Sequence, residues 1–134
     1  IKPGTYSEHP STFYDYYATV SDIINKELPY STDGISYYPT LIDKKQDKHD
    51  YLYWEFPAYG GQQAIRINKW KGIKKNLFKG PSELQLYNLD EEPKELNNIA
   101  FEYPEIVSRM EDLMKEAHST PKMDKFKIPV LDNK

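Results

Sequence analysis

Between Tyr51 and Leu89 the chain offers four extended segments joined by short turns, and connections that short pair neighbouring strands antiparallel. Tyr51 to Phe56 alternates, with Leu52, Trp54 and Phe56 on one face and Tyr51, Tyr53 and Glu55 on the other. After the loop Pro57-Ala58-Tyr59-Gly60-Gly61, a second strand runs from Gln62 to Ile67. Asn68-Lys69 then stands where a tight hairpin turn is needed, and Asn tolerates the left-handed conformation. Trp70 to about Leu77 is the returning strand, with Gly72 as a candidate bulge. Gly80-Pro81 marks a further turn, and Leu84 to Leu89 is the fourth strand.

Helical signals flank this sheet. From Thr12 to about Leu28, Phe13, Tyr16, Tyr17, Val20, Ile23, Ile24 and Leu28 recur every three or four residues, with Ser11 as N-cap and Pro29 as the stop. Asp33-Gly34 reads as a turn in which Gly takes a positive φ. Ile35 to Ile42, broken by Pro39, is either extended or a short helical turn, and residues 43–50 form a charged loop. Pro104 opens a helix to about Ala117, with Ile106, Met110, Leu113, Met114 and Ala117 on one stripe. Glu105 with Arg109 and Glu111 with Lys115 are i,i+4 pairs in the favourable order. The predicted class is α+β: a four-stranded antiparallel sheet packed against a C-terminal α-helix, with an additional N-terminal helix. Residues 119–134, with Pro121 and Pro129, read as a tail packed along the surface or frayed.

Composition limits the chemistry. A chain of 134 residues allows one domain and not comfortably two, and its charge of −3 is too small to hold it open. Scattered basic residues against an acidic excess argue against a nucleic-acid partner, and no apolar run approaches a membrane span. With no Cys there is no disulfide, zinc–thiolate site or cysteine nucleophile. His9, His49 and His118 lie far apart, none at helical metal spacing, and read first as solvated or core-edge residues. Asp90, Glu91, Glu92 and Glu95 read as a solvated acidic connector. The 12 Tyr leave two readings open. Tyr51, Tyr53 and Tyr59 either expose rings that stack on sugar or aromatic ligands, or bury them against a helix, the commoner case. Trp54 and Trp70 read as core. Opening on Ile rather than Met, the chain is expected to be a piece of something longer.

Several segments together resemble the C-terminal part of a type I sulfatase, in the arylsulfatase family of the alkaline-phosphatase superfamily. Leu84-Gln85-Leu86-Tyr87-Asn88-Leu89-Asp90-Glu91-Glu92-Pro93-Lys94-Glu95-Leu96-Asn97-Asn98-Ile99-Ala100 is similar to the family's E-L-Y-D-L-x-x-D-P-x-E-x-x-N-L-A signature. Gln85, Asn88, Glu92 and Ile99 depart from it. Asp33-Gly34-Ile35-Ser36-Tyr37-Tyr38-Pro39-Thr40-Leu41 resembles D-G-x-S-x-x-P-x-L. His49 to Phe56, with Ala64-Ile65-Arg66 and Lys69-Trp70-Lys71, resembles the Y-W-E-F…A-x-R…K-W-K hairpin. Ile1-Lys2-Pro3-Gly4-Thr5 and Asp15 to Ile24 resemble the segment leading into the last helix of the family's large domain.

The resemblance implies three parts: residues 1–30 as the tail end of the large catalytic domain, 31–118 as the C-terminal subdomain, and 119–134 as a tail. It implies a sulfuric ester hydrolase as the parent, exported to the periplasm or beyond and acting on an aryl or carbohydrate sulfate. The parent would use a formylglycine made from the Cys or Ser of C/S-x-P-S-R, with a calcium ion. That motif does not occur here, so this chain alone is expected to be inactive and to need the N-terminal catalytic domain as partner. By the same resemblance the loop from Pro57 to Gln63 faces the substrate cleft. Tyr59, Gln62 and Gln63 are then candidates for leaving-group recognition, with His49 a fourth; the competing reading is an ordinary solvated hairpin loop. Alternatives are a free-standing carbohydrate-binding or interaction module, or part of a phosphodiesterase or phosphonate hydrolase relative. An exposed apolar face on the first helix would also let the chain self-associate.

Overall fold

The computed structural model describes residues 1–132; of the 119–134 tail, residues 133 and 134 lie outside the described residues. The chain divides into two compact units, Ile1–Asp50 and Tyr51–Lys134.

In the first unit, α1 spans Asp15–Ile23 and α2 spans Tyr38–Leu41. The helical turn is thus the form taken within 35–42. Helix α1 is shorter at both ends than its apolar periodicity predicts. Ser11 does not cap it; Asp15 does the work, its Oδ2 accepting the Thr12 amide at 2.8 Å. It stops at Asn25, which takes φ +50°, while the Lys26 and Asn25 amides donate to the Ser21 and Asp22 carbonyls. That is a Schellman ending, in which a left-handed Asn does what Gly usually does.

Gly34 is required for a different reason from the one its Asp-Gly turn suggests. Its φ is not in the left-handed region, but a Cβ there would collide with the backbone carbonyl of Tyr14. A carbonyl fixed at the entrance of a helix cannot swing aside as a side-chain end can. Gly34→Ala is therefore expected to destabilise this unit by about 3 kcal/mol, the upper end for overpacking. Faster amide hydrogen exchange at Ile35 and Tyr37 checks it.

The second unit contains β1 (Leu52–Phe56), β2 (Gln62–Ile67), β3 (Trp70–Lys75) and β4 (Gln85–Asn88) in spatial order β1-β2-β3-β4, all antiparallel. Ile67 pairs with Trp70 across the Asn68-Lys69 turn, where Asn68 takes φ +52°. Helix α3 (Pro104–Ala117) covers one face, and α4 (Pro129–Asp132) packs on the turn at Leu77–Lys79. The core lies under α3: Ile65, Leu84, Leu86, Met110 and Met114 are buried, with Tyr51, Tyr53, Ile67, Trp70 and Tyr103 packed around them. Within the described residues the tail packs rather than frays, with Ile128 only 1 % exposed.

Register decides which face of β1 is inside. Tyr53 stands opposite Ile65, which stands opposite Gly72, which stands opposite Leu86, so the tyrosine face belongs to the core. Tyr51 and Tyr53 are therefore packing residues. Trp54, expected in the core, instead sits opposite Ala64 on the other face, while Trp70 lies 4.8 Å from Tyr103 under the helix. Gly72 makes no bulge, because β2–β3 pairing is unbroken through it. A Cβ at Gly72 would come within 2.9 Å of Met110 Sδ, so glycine lets the α3 side chains reach the sheet. Glu111 pairs with Lys74 of β3 at 2.6 Å rather than with Lys115, which pairs with Asp112.

The acidic connector is also more than a solvated run. The Glu92 carboxylate accepts the amides of Lys94 and Leu96, and Glu95 binds Lys71 at 2.6 Å. Asn98 Oδ1 accepts the amides of Leu86 and Ala100, and Ile99 donates its amide to the Leu86 carbonyl. The longest motif in the sequence thus encodes a hydrogen-bonded lacing along β4.

Candidate functional site

The loop between β1 and β2 has the backbone of an exposed, fixed platform. Tyr59, Gly60 and Gly61 take φ of +50°, +85° and +77° in succession. Only glycine adopts that region freely, so two of three positions are glycine and the strain falls on Tyr59. The loop is tied to the next turn, where the Leu77 and Phe78 amides donate to the Gly61 and Gly60 carbonyls at 3.1 and 2.9 Å. Tyr59 is 83 % exposed, and its ring stacks on that of Phe56 at 6.0 Å. Phe78 is exposed beside Gly61.

The predicted site residues separate by face. Gln62 stands opposite Phe56, on the side of the sheet away from α3, and is half-buried. Gln63 points the other way and is only 4 % exposed. Its amide donates to the Tyr53 hydroxyl at 2.6 Å, and that hydroxyl donates to Glu55. Burial, then the Glu55 hydrogen bond, pushes the Tyr53 phenol far above its ordinary range, so it stays a neutral donor. Tyr59 and Gln62 thus remain available at the surface, while Gln63 braces the strand.

His49 belongs to the first unit. Its Nε2 lies 2.7 Å from Oδ1 of Asp15, and its ring meets Tyr14 edge-on at 5.7 Å. Asp15 is 1 % exposed and also accepts the Ile35 amide at 2.9 Å, so it holds the imidazole in a fixed orientation. No sequence pattern pairs positions 15 and 49. Asp15 lies off the apolar stripe of its helix, on a buried face shared with Ala18 and Thr19. His9 lines an open cleft of about 1140 Å³ in the same unit, together with Lys2, Lys44 and Lys48. Burial lowers its pKa, with Lys48 and His49 adding to that and Asp15 opposing it.

Away from α3, Trp54 and Ala64 floor an open groove of about 560 Å³ walled by Arg66, Lys71 and Glu95. Among the described residues no three His, Cys, Asp or Glu side chains converge to hold a metal ion. The calcium that the motif resemblance implies for the parent protein thus finds no ligand set among the described residues.

Comparison with known proteins agrees with the fold and the motifs. The family described as N-sulphoglucosamine sulphohydrolase, C-terminal, matches residues 1–120. Arylsulfatase K of Bos taurus is 31 % identical over 120 residues, covering 81 % of this chain and 22 % of its own length. An N-acetylglucosamine-6-O-sulfatase of Bacteroides thetaiotaomicron is 28 % identical over 138 residues, covering 96 % of this chain and 24 % of its own. Among solved structures, a 2-O GAG sulfatase superposes with a TM-score of 0.66 at 25 % identity, over 76 % of this chain and 23 % of that one. The chain spans less than a quarter of the length of each of the three.

Proposed function

This chain belongs to the family of sulfatase C-terminal domains, and we propose that it is the C-terminal subdomain of a sulfuric ester hydrolase that walls the substrate cleft without carrying the reacting groups. The observation that carries this reading is the family match over residues 1–120. The first unit adds support: Phe13, Tyr16, Tyr17, Ile23 and Ile24 on and beside α1 are all about half exposed or more. An apolar surface of that extent marks a contact with another body. The body proposed is the catalytic domain of the same polypeptide, with residues 1–30 as its tail end, 31–118 as the subdomain and 119–134 as the tail. That domain would supply the formylglycine and calcium, in a periplasmic or extracellular protein. Without it, this chain is inactive and its α1 surface favours self-association.

In this reading Tyr59 and Gln62 contact the part of the substrate beyond the sulfate, Gln63 braces β1 beneath the loop and His49 is held ready by Asp15. A carbohydrate sulfate is the favoured substrate class, since an exposed aromatic ring suits a sugar face and two of the relatives are named for glycan sulfates. The reading frame upstream of Ile1 is expected to encode C/S-x-P-S-R, and its absence there overturns the proposal. In that full-length protein Tyr59→Ala is expected to raise KM by about 2- to 10-fold with kcat nearly unchanged.

A further inference from the structure

A largely buried cluster of one imidazole and two carboxylates, used by neither the fold's core nor the proposed cleft, holds the C-terminal segment in place. His118 follows α3 directly. Its Nδ1 lies 2.6 Å from Oε1 of Glu55 on β1, and its Nε2 lies 3.2 Å from Oδ1 of Asp132 on α4. The first contact is a hydrogen bond. The second is close but is not a hydrogen bond, so His118 Nε2 and Asp132 Oδ1 face each other, buried, with no hydrogen-bond partner among the described residues. The Asp132 side chain is 1 % exposed. Its other oxygen accepts the Ile128 amide at 2.7 Å, closing the α4 turn over the buried Ile128 side chain.

Other charged and polar groups face this cluster: on the C-terminal segment the Lys127 ammonium pairs with Asp124 at 2.8 Å and is also attracted by Asp132. On β1 the Tyr53 hydroxyl donates to Glu55, and on β2 the Gln63 amide donates to Tyr53; both are neutral. Lys74, opposite Gln63 in the register, gives its ammonium to Glu111 of α3. Two carboxylates therefore flank one imidazole. With both ring nitrogens protonated, the ring donates to Glu55 and places positive charge against Asp132. With Nδ1–H kept by Glu55 and Nε2 deprotonated, a lone pair faces a buried carboxylate oxygen, and two desolvated acceptors repel.

We propose that Glu55, His118 and Asp132 form a proton-operated clasp in which the imidazolium holds residues 128–132 on the sheet and loss of the Nε2 proton to bulk water releases them. The sign follows from which form docks: the protonated ring favours the docked segment, so docking is strongest in acid and weakens as pH rises.

The test uses the whole 134-residue chain. Amide protection factors, corrected for intrinsic exchange, are measured for residues 126–132 at about pH 5.5 and about pH 8.5, the ends of the interval in which imidazole changes charge. Protection is expected to fall by about tenfold or more on going to the higher pH, with the β2–β3 amides as an unchanged reference. Asp132→Asn is expected to lose the fall in protection or reverse its sign, because its NH2 donates to the bare Nε2 at high pH and meets the Nε2–H donor to donor at low pH, and His118→Gln is expected to show no pH step. Protection that is independent of pH in the wild-type chain overturns the clasp, as does a step of the same size in Asp132→Asn. If His118→Gln does not fold, the comparison of wild type with Asp132→Asn decides alone.

Discussion

Asp15→Ala is expected to cost the first unit about 3–5 kcal/mol, since it strips the acceptor from two backbone amides and an imidazole, and each buried group left unpaired costs about 1–3 kcal/mol. The Thr12 amide, the Ile35 amide and His49 all meet this one carboxylate. It is at once the N-terminal brace of α1 and the link between α1, the Gly34–Ile35 crossing and the histidine before β1. Hydrogen exchange at the Ile35 amide is the direct measurement, because that donor loses its partner outright. His49→Gln, which leaves both backbone bonds intact, is expected to cost less than half as much.

Met110→Ala carries the second large effect, about 3 kcal/mol, read as a fall in the urea midpoint of the second unit. Met110 is fully buried and its sulfur occupies the space a Cβ at Gly72 would take. Gly72→Ala alone is expected to cost about 1 kcal/mol, because its methyl meets the movable ends of Met110 and Leu84 rather than backbone. Combining the two brings a small residue to each side of one gap. The pair is expected to lose about 1 kcal/mol less than the sum of the single losses. Strict additivity would mean that the sheet and α3 do not meet at this point.

Local signals account for what was readable beforehand. The β2–β3 hairpin needs only an Asn at a left-handed turn position, and α3 needs only a Pro at its start and an apolar stripe. Both are written within a few residues of where they act. The inner face of β1 is not, since Leu52-Trp54-Phe56 and Tyr51-Tyr53 are each apolar enough to be buried. That choice is made by Ile65 and Leu86, on other strands. The end of α1 is not legible in the sequence, because Asn25 is an ordinary residue until its φ is known. Among the candidate site residues, the exposure of Tyr59 follows from its Gly-Gly neighbours, but Gln62 and Gln63 have the same side chain and opposite surroundings. Only strand parity separates them. The His118–Glu55 contact joins residues 63 apart, and no spacing rule reaches that far.

The lacing of β4 bears on how this domain behaves in company. Leu84 to Leu89 has four apolar residues in six, no charge and no proline, features shared with segments that form cross-β stacks. It is also the last strand of its sheet, with outward-facing amide and carbonyl groups at Leu86 and Asn88. The connector fills three of those four positions from the same chain: Asn98 and Ile99 take both groups of Leu86, and the Glu92 amide takes the Asn88 carbonyl. The domain thus carries its own stopper against edge-to-edge aggregation. A family motif that looks like a site signature serves here as quality control, keeping a fibril-competent strand from recruiting another molecule.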